Sequence, residues 1–318
     1  MTGSYGRTRT IARRSAIRNP RLVVNARGEA ALAWFEDRGT SNDRVYVSVR
    51  SAGGSFDRPH RLVQERIRNV SVAVGPAGDI VVAWDAHGRI RTRYRARSDR
   101  AFRRADTLRS RDTFNATLQS RVAESGHAWV GWTAQLLTEG GDRGDAFVQA
   151  AVRSPGGRRF HTAAVLAQAP GSAFPTPVSL SVAADGSATL AWTLWERDTM
   201  AIQAARVSTS GTPVVQDVTR FGAVEPVDTA TAATARDGTA VVVWTQLVDA
   251  FSNRSRLHAS VQPPGGRWGP PEPVSPGMQA MAPVAAYPPE GGPPLVLFAN
   301  RPTGELDGTV AQVATRAE

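Results

Sequence analysis

Apolar positions in this chain gather in short runs that end on an aromatic residue, and the runs recur. Five of them are EAALAW, ending at Trp34, DIVVAW at Trp84, HAWVGW at Trp132, SATLAW at Trp192 and TAVVVW at Trp244; a sixth, PPLVLF, ends at Phe298. Successive aromatic ends stand 50, 48, 60, 52 and 54 residues apart. A glycine turn precedes each run, at Gly28, Gly78, Gly126, Gly186, Gly238 and Gly292, and before each turn lies an alternating segment such as PRLVVN or VSVAVG. Two more segments follow each run, as RVYVSVR and RPHRLVQ follow Trp34 with SAGGSF between them. Alternation bounded by turn residues is strand chemistry, so the unit is four short strands, repeated six times.

The repeat predicts an all-β chain, a six-bladed β-propeller of four-stranded antiparallel blades forming one domain over residues 1–318. Runs apolar at consecutive positions suit strands buried on both faces between neighbouring blades. Repeat length and the lack of a 3.6-residue period exclude leucine-rich and helical solenoids. The opening GSYGRTRTIARRSAIRNP aligns with GSFDRPHRLVQERIRNV, residues 54–70, so the chain begins on a fourth strand. Its last segment, TVAQVATRAE, resembles a third strand. Residues 4–12 are therefore predicted to pair with residues 309–316 and close the ring, removing an open sheet edge.

Composition narrows the chemistry. The chain has 38 basic and 28 acidic side chains, every basic one an arginine, and no cysteine. Disulfides, thiolate metal sites and thiol nucleophiles are excluded. No apolar run approaches the ~20 residues of a membrane span, and no secretory signal is visible, so the sequence names no compartment. His60, His87, His127, His161 and His258 are scattered without metal-ligand spacing, and no phosphate-cradling loop or nucleophile elbow occurs. No metal or cofactor is implied, and the chain reads as a monomer. Arginine alternates at Arg89, Arg91, Arg93, Arg95 and Arg97, which places five guanidinium groups on one strand face. Residues 1–159 carry 29 basic against 15 acidic side chains, residues 160–318 only 9 against 13. Such a comb suits a polyanion or a solvated rim; no nucleic-acid motif accompanies it.

In a four-stranded blade the loops alternate between two faces. The short glycine turns share one face, while irregular loops such as FEDRGTSNDR, TAQLLTEGGDRGD, TLWERDTM and FANRPTGELDG share the other. Variable loops on a rigid scaffold are where sites sit. The turns RSAGGSF, RSPGGRRF and PPGGRW resemble the Asp-box of sialidase-like (BNR-repeat) propellers, S-x-D-x-G-x-T-W, with the aspartate missing. The segment IRNPRLVVNARGEAALAWFEDRGTSNDR also looks like that family's first blade. The resemblance implies that Arg18 matches a carboxylate-binding arginine, Arg38 the loop arginine and Asp43 the acid/base aspartate. A guanidinium pairs bidentately with a sugar carboxylate, which is the chemistry those arginines supply.

The family's two other arginines have no counterpart. Positions equivalent to Arg18 are Arg68, Ala116, Pro175, Val224 and Met281, and Tyr287 stands about four positions late for the nucleophile. The expectation is a non-catalytic sialidase-like propeller that binds carbohydrate or protein through its loop face. Arg18, Arg38, Asp43, Arg68 and Trp195 are its candidate ligand-binding residues, and an acidic glycan, another polyanion or a protein its partner. The alternatives are a divergent glycoside hydrolase of sialidase type, with Arg18, Arg38 and Asp43 as catalytic candidates, and a polyanion binder.

Overall fold

The computed structural model describes residues 9–13, 16–39, 42–86, 88–109, 113–137, 143–161, 164–170, 174–175, 178–196, 198–209, 213–222, 227–248, 254–275, 280–288, 291–300 and 310–315. All regular structure among them is strand. Blade 1 holds β1 (Ile17–Val24), β2 (Ala30–Glu36), β3 (Arg44–Arg50) and β4 (His60–Gln64). Blade 2 holds β5 (Asn69–Val74), β6 (Ile80–Ala86), β7 (Arg89–Arg95) and β8 (Asp106–Arg109). Blade 3 holds β9 (Thr113–Val122), β10 (Ala128–Leu137), β11 (Arg143–Arg153) and β12 (Ala164–Ala169). In blade 4 an interrupted first strand, β13 (Phe174–Pro175) and β14 (Ser179–Val182), precedes β15 (Ala188–Glu196), β16 (Thr199–Val207) and β17 (Val214–Gly222). Blade 5 holds β18 (Val227–Thr234), β19 (Ala240–Leu247), β20 (Ser255–Gln262) and β21 (Glu272–Pro273). Blade 6 is described with three strands, β22 (Ala280–Ala286), β23 (Leu295–Asn300) and β24 (Val310–Thr315). Each blade is an antiparallel meander in chain order, and the whole is a six-bladed β-propeller.

The aromatic-ended runs are the second strand of each blade, and their aromatic residues are all buried. Among the described residues, five apolar cores separate successive blades. Trp84 packs in the core between blades 1 and 2, Trp132 between 2 and 3, and Trp192 between 3 and 4. Trp244 lies between blades 4 and 5, and Phe298 between 5 and 6. Each therefore looks back at the preceding blade, which is why one bulky aromatic recurs once per repeat. A cross-strand neighbour completes two of the sites: Trp34 stacks on Tyr46 at 5.7 Å and Trp244 on His258 at 5.9 Å.

The glycine turns explain the other half of the repeat. Gly53, Gly156 and Gly265 adopt φ of 67°, 69° and 68° in the three aromatic-ended turns. That left-handed conformation admits glycine without a Cβ penalty. The following glycines donate backbone hydrogen bonds to Ser51, Ser154 and Pro263, each 3.0 Å long. Three turns of nearly one geometry thus arise from three related sequences.

Residues 9–13 are irregular chain, and β24 pairs with β23 alone among the described residues. Of residues 4–12, expected to pair with β24, residues 4–8 lie outside the described residues and residues 9–12 form no strand.

Candidate functional site

On the loop face, blades 1 and 2 frame a cleft of about 510 Å³ lined by Phe35, Asp37, Gly39, Asp43, Arg66, Ile67 and Arg68. One wall is a crossover anchored at residues 65, 67 and 68. The Glu65 amide donates to the Asp43 carbonyl at 2.9 Å, and the Ile67 amide to Asp43 Oδ2 at 2.9 Å. The Arg68 amide donates to the Asp85 carbonyl at 3.1 Å. Glu65 is held again through its carboxylate, which accepts from Trp84 Nε1 at 2.7 Å and from Arg91 Nη1 at 2.8 Å. Ile67 is buried in the core between blades 1 and 2. Arg66 and Arg68 flank Ile67 in this crossover, and all three line the cleft.

Asp43 is the hub of this arrangement. It is 5% exposed, and its two oxygens are engaged by backbone amides, Arg38 N on Oδ1 at 2.8 Å and Ile67 N on Oδ2. The carboxylate thereby pins the loop of blade 1 to the crossover into blade 2. A general acid must present an oxygen to its substrate; these oxygens are turned to the main chain. Arg38 spends its side chain on Glu36, at 3.1 Å, and Arg18 lies on β1 with Nε 3.5 Å from Asp37 Oδ2. Asp37 in turn accepts from the Gly39 amide at 2.9 Å, so the arginine borders a carboxylate that lines the cleft.

Arg18, Arg38, Asp43 and Arg68 are thus brought together at one seam. Trp195 is not among the residues that line it. The sequence places Trp195 in a loop; in the structure it sits near the end of β15, paired with Met200, and is partly exposed. Blade 4 lengthens β15 and β16 beyond the repeat, which carries the tryptophan out on a strand. Its neighbour Glu196 accepts from Thr199 and Arg220, each at 3.0 Å. Arg197 and His87 lie outside the described residues, as do residues 138–142, 249–253 and 301–309 of the longer loops. Tyr287 packs against the core between blades 5 and 6.

Sequence reasoning passed over two groups. Arg66 lines the cleft beside Arg68, and its only signal was the short interval in ERIRN. Asp85 follows Trp84 and is fully buried; Gly88 donates to its Oδ1 at 2.7 Å, while Oδ2 meets no hydrogen-bond donor among the described residues. Burial pushes its pKa up to about 6, against the opposing pull of the Gly88 amide and the Arg68 charge.

The arginine comb alternates as expected, with Ile90, Thr92 and Tyr94 buried and the arginines half-buried or exposed. The arginines do not form an outward rim. Ile90 and Tyr94 pack toward blade 3, so the guanidinium face turns to blade 1, where Arg91 meets Glu65 and Arg97 approaches Glu29 at 3.3 Å. Burial lowers the Arg93 pKa, with the Arg91 charge adding to it. Among the described residues no group of three or more His, Asp or Glu side chains gathers as a metal site. No helix among them is long and apolar enough to cross a membrane.

No protein-family model matches the chain, and comparison with curated proteins gives no match. Solved structures do resemble it. A protein of unknown function from Dyadobacter fermentans is 10% identical with a TM-score of 0.51, covering 95% of each chain. An ulvan lyase bound to -[GlcA(1-4)Rha3S]- is 10% identical with a TM-score of 0.55, covering 94% of this chain and 80% of the other. A leech intramolecular trans-sialidase is 8% identical with a TM-score of 0.51, covering 99% and 70%. At such identities the likeness is one of fold, and the fold is the β-propeller.

Proposed function

We propose that this chain is a non-catalytic, sialidase-like glycan-binding propeller that takes an acidic sugar in the cleft between blades 1 and 2. The observation that carries the reading is the division of labour at the seam. Asp43 is consumed as a structural pin, while Arg66 and Arg68 line the cleft and Arg18 stands at its border beside Asp37. Guanidinium groups on a partly dry wall favour a planar carboxylate or a sulfate over a neutral sugar. Because the crossover is fixed through its backbone, little ordering entropy is lost when a ligand arrives. Two of the solved structures that share the fold are a lyase bound to -[GlcA(1-4)Rha3S]- and a trans-sialidase, which makes acidic sugars the first ligands to try. A divergent hydrolase of sialidase type would need the Asp43 carboxylate to face the sugar. A glycan array comparing wild type with an Arg18→Ala, Arg68→Ala double variant tests the reading. Acidic glycans are expected to bind wild type, and the double variant to lose at least tenfold in affinity; neutral-glycan binding, or acidic binding indifferent to the change, overturns it.

A further inference from the structure

A second cavity lies on the opposite face of the disc, between the third-to-fourth-strand turns of blades 2 and 3. It measures about 680 Å³ and is lined by Arg103, Arg104, Asp106, Arg158, Arg159 and His161, among others, with Leu108 and Phe160 at its base. We infer that this groove is a separate binding site for a sulfated polysaccharide, independent of the cleft between blades 1 and 2.

Four guanidinium groups and an imidazole line a groove that holds one carboxylate. Asp106 is that carboxylate, and Arg159 Nε comes no nearer to it than 3.9 Å. Arg104, Arg158 and His161 are exposed and take no carboxylate partner among the described residues. Uncompensated guanidinium groups converging from two blades repel one another, and an anion between them removes that cost.

Both walls are held in place before any ligand arrives. The Arg103 amide donates to the Tyr94 carbonyl on β7, and the His161 amide to the Val152 carbonyl on β11, each at 2.8 Å. The Arg103 side chain is fixed by Asp99, 3.0 Å away, and by the Tyr94 ring, 5.3 Å beneath it. Arg153, almost fully buried, presses on the same ring at 3.3 Å. Leu108 and Phe160 are half-buried in the core between blades 2 and 3, giving the groove an apolar floor.

The chemistry selects sulfate esters. A guanidinium is planar and weakly hydrated, and a sulfate presents several oxygens to its donors at once. Single-stranded nucleic acid calls for a series of exposed aromatic platforms on which bases stack; among the residues lining the groove Phe160 is tied into the core, which leaves the His161 imidazole as the one exposed ring. A polymer fits better than a free ion because the basic groups are spread over two blades.

The test uses fluorescently labelled heparin as a sulfated probe, heparosan as its unsulfated backbone control, and a single-stranded DNA of similar charge. Wild type is expected to bind heparin at least tenfold more tightly than either. An Arg104→Ala, Arg158→Ala, Arg159→Ala variant, all exposed positions, is expected to lose at least tenfold. A charge-matched Arg21→Ala, Arg61→Ala, Arg267→Ala variant, exposed positions that line neither cavity, should lose less than threefold. Equal losses in both variants would reduce the effect to net charge and overturn the proposal, as would tighter binding of DNA or no heparin binding by wild type. Failure of the acidic-glycan array leaves this result readable, because the two sites share no residue.

Discussion

Asn19 of blade 1 donates a side-chain hydrogen bond to Asn69 of blade 2, its own equivalent one repeat later. The two asparagines follow Arg18 and Arg68, so the bond holds the two equivalent arginines in neighbouring places at the seam. Asn19 stands at φ 49°, a left-handed conformation that asparagine tolerates better than most residues. Asn69 Oδ1 also accepts from the Val70 amide at 2.9 Å, so the acceptor is itself oriented.

The pair should couple energetically. In a double-mutant cycle of Asn19→Ala and Asn69→Ala, followed by denaturant unfolding, an interaction energy of about 1 kcal/mol is expected. Additive single effects would show that the seam is held by its core alone.

Asp43 should behave as a structural residue. Asp43→Ala strips the acceptor from two backbone amides and is expected to cost about 3 kcal/mol; Asp43→Asn keeps one acceptor and should cost about 1 kcal/mol. Wild type is expected to give no turnover of a fluorogenic sialoside. A rate that vanishes in Asp43→Asn while the melting temperature stays unchanged would restore the hydrolase reading.

Asp85 ties stability to pH in the direction opposite to most carboxylates. Its folded pKa of about 6 lies above the ordinary value of 3.8, so the folded chain holds a proton that the unfolded chain has lost. The stabilisation is complete below pH 4 and is lost as pH rises toward 6 and beyond, by about 3 kcal/mol in all. Urea unfolding between pH 4 and 7.5 should show this fall superimposed on the other carboxylates, and Asp85→Asn should flatten it. Arg68→Ala should extend the fall to higher pH, because the Arg68 charge now holds the Asp85 pKa down.

The repeat, the blade count and the burial of Trp34, Trp84, Trp132, Trp192 and Trp244 are legible in the sequence because one aromatic per blade must fill one inter-blade core. The clustering of Arg18, Arg38, Asp43 and Arg68 is legible too, since equivalent positions of adjacent blades are neighbours in space. The role of Asp43 is not, because its partners are backbone amides, which every residue but proline carries. Asp85 escapes sequence reading because its perturbed proton affinity comes from burial by chain far away. The arginine comb is half legible: alternation says that Arg91, Arg93 and Arg95 share a face, while only the packing of Ile90 and Tyr94 on blade 3 says which neighbour they meet.

The last expectation concerns the seam between blades 6 and 1. The other five aromatics of the repeat face the preceding blade, so Trp34 should face blade 6. On that side of blade 1, Leu22 pairs with Leu32 and Val24 with Ala30, yet Leu22 and Val24 are 60% and 50% exposed. On blade 6, Val296 and Phe298 are buried against blade 5, which turns Leu297 with its cross-strand partners Val284 and Val313 the other way. Those three are 47%, 58% and 64% exposed. Two apolar faces are thus left open on the blades that a closed ring brings together, and a patch of this kind is a large cost in water. The fourth strand of blade 6 would come from the N-terminal segment. Deleting residues 1–14 is therefore expected to lower the melting temperature by about 5 °C. Without that deletion, Val313→Asp should destabilise by about 2 kcal/mol or more, because closure would bury the introduced charge; in an open ring the same change sits in water and costs nothing measurable. An unchanged melting temperature in both variants would mean that the ring stays open in solution.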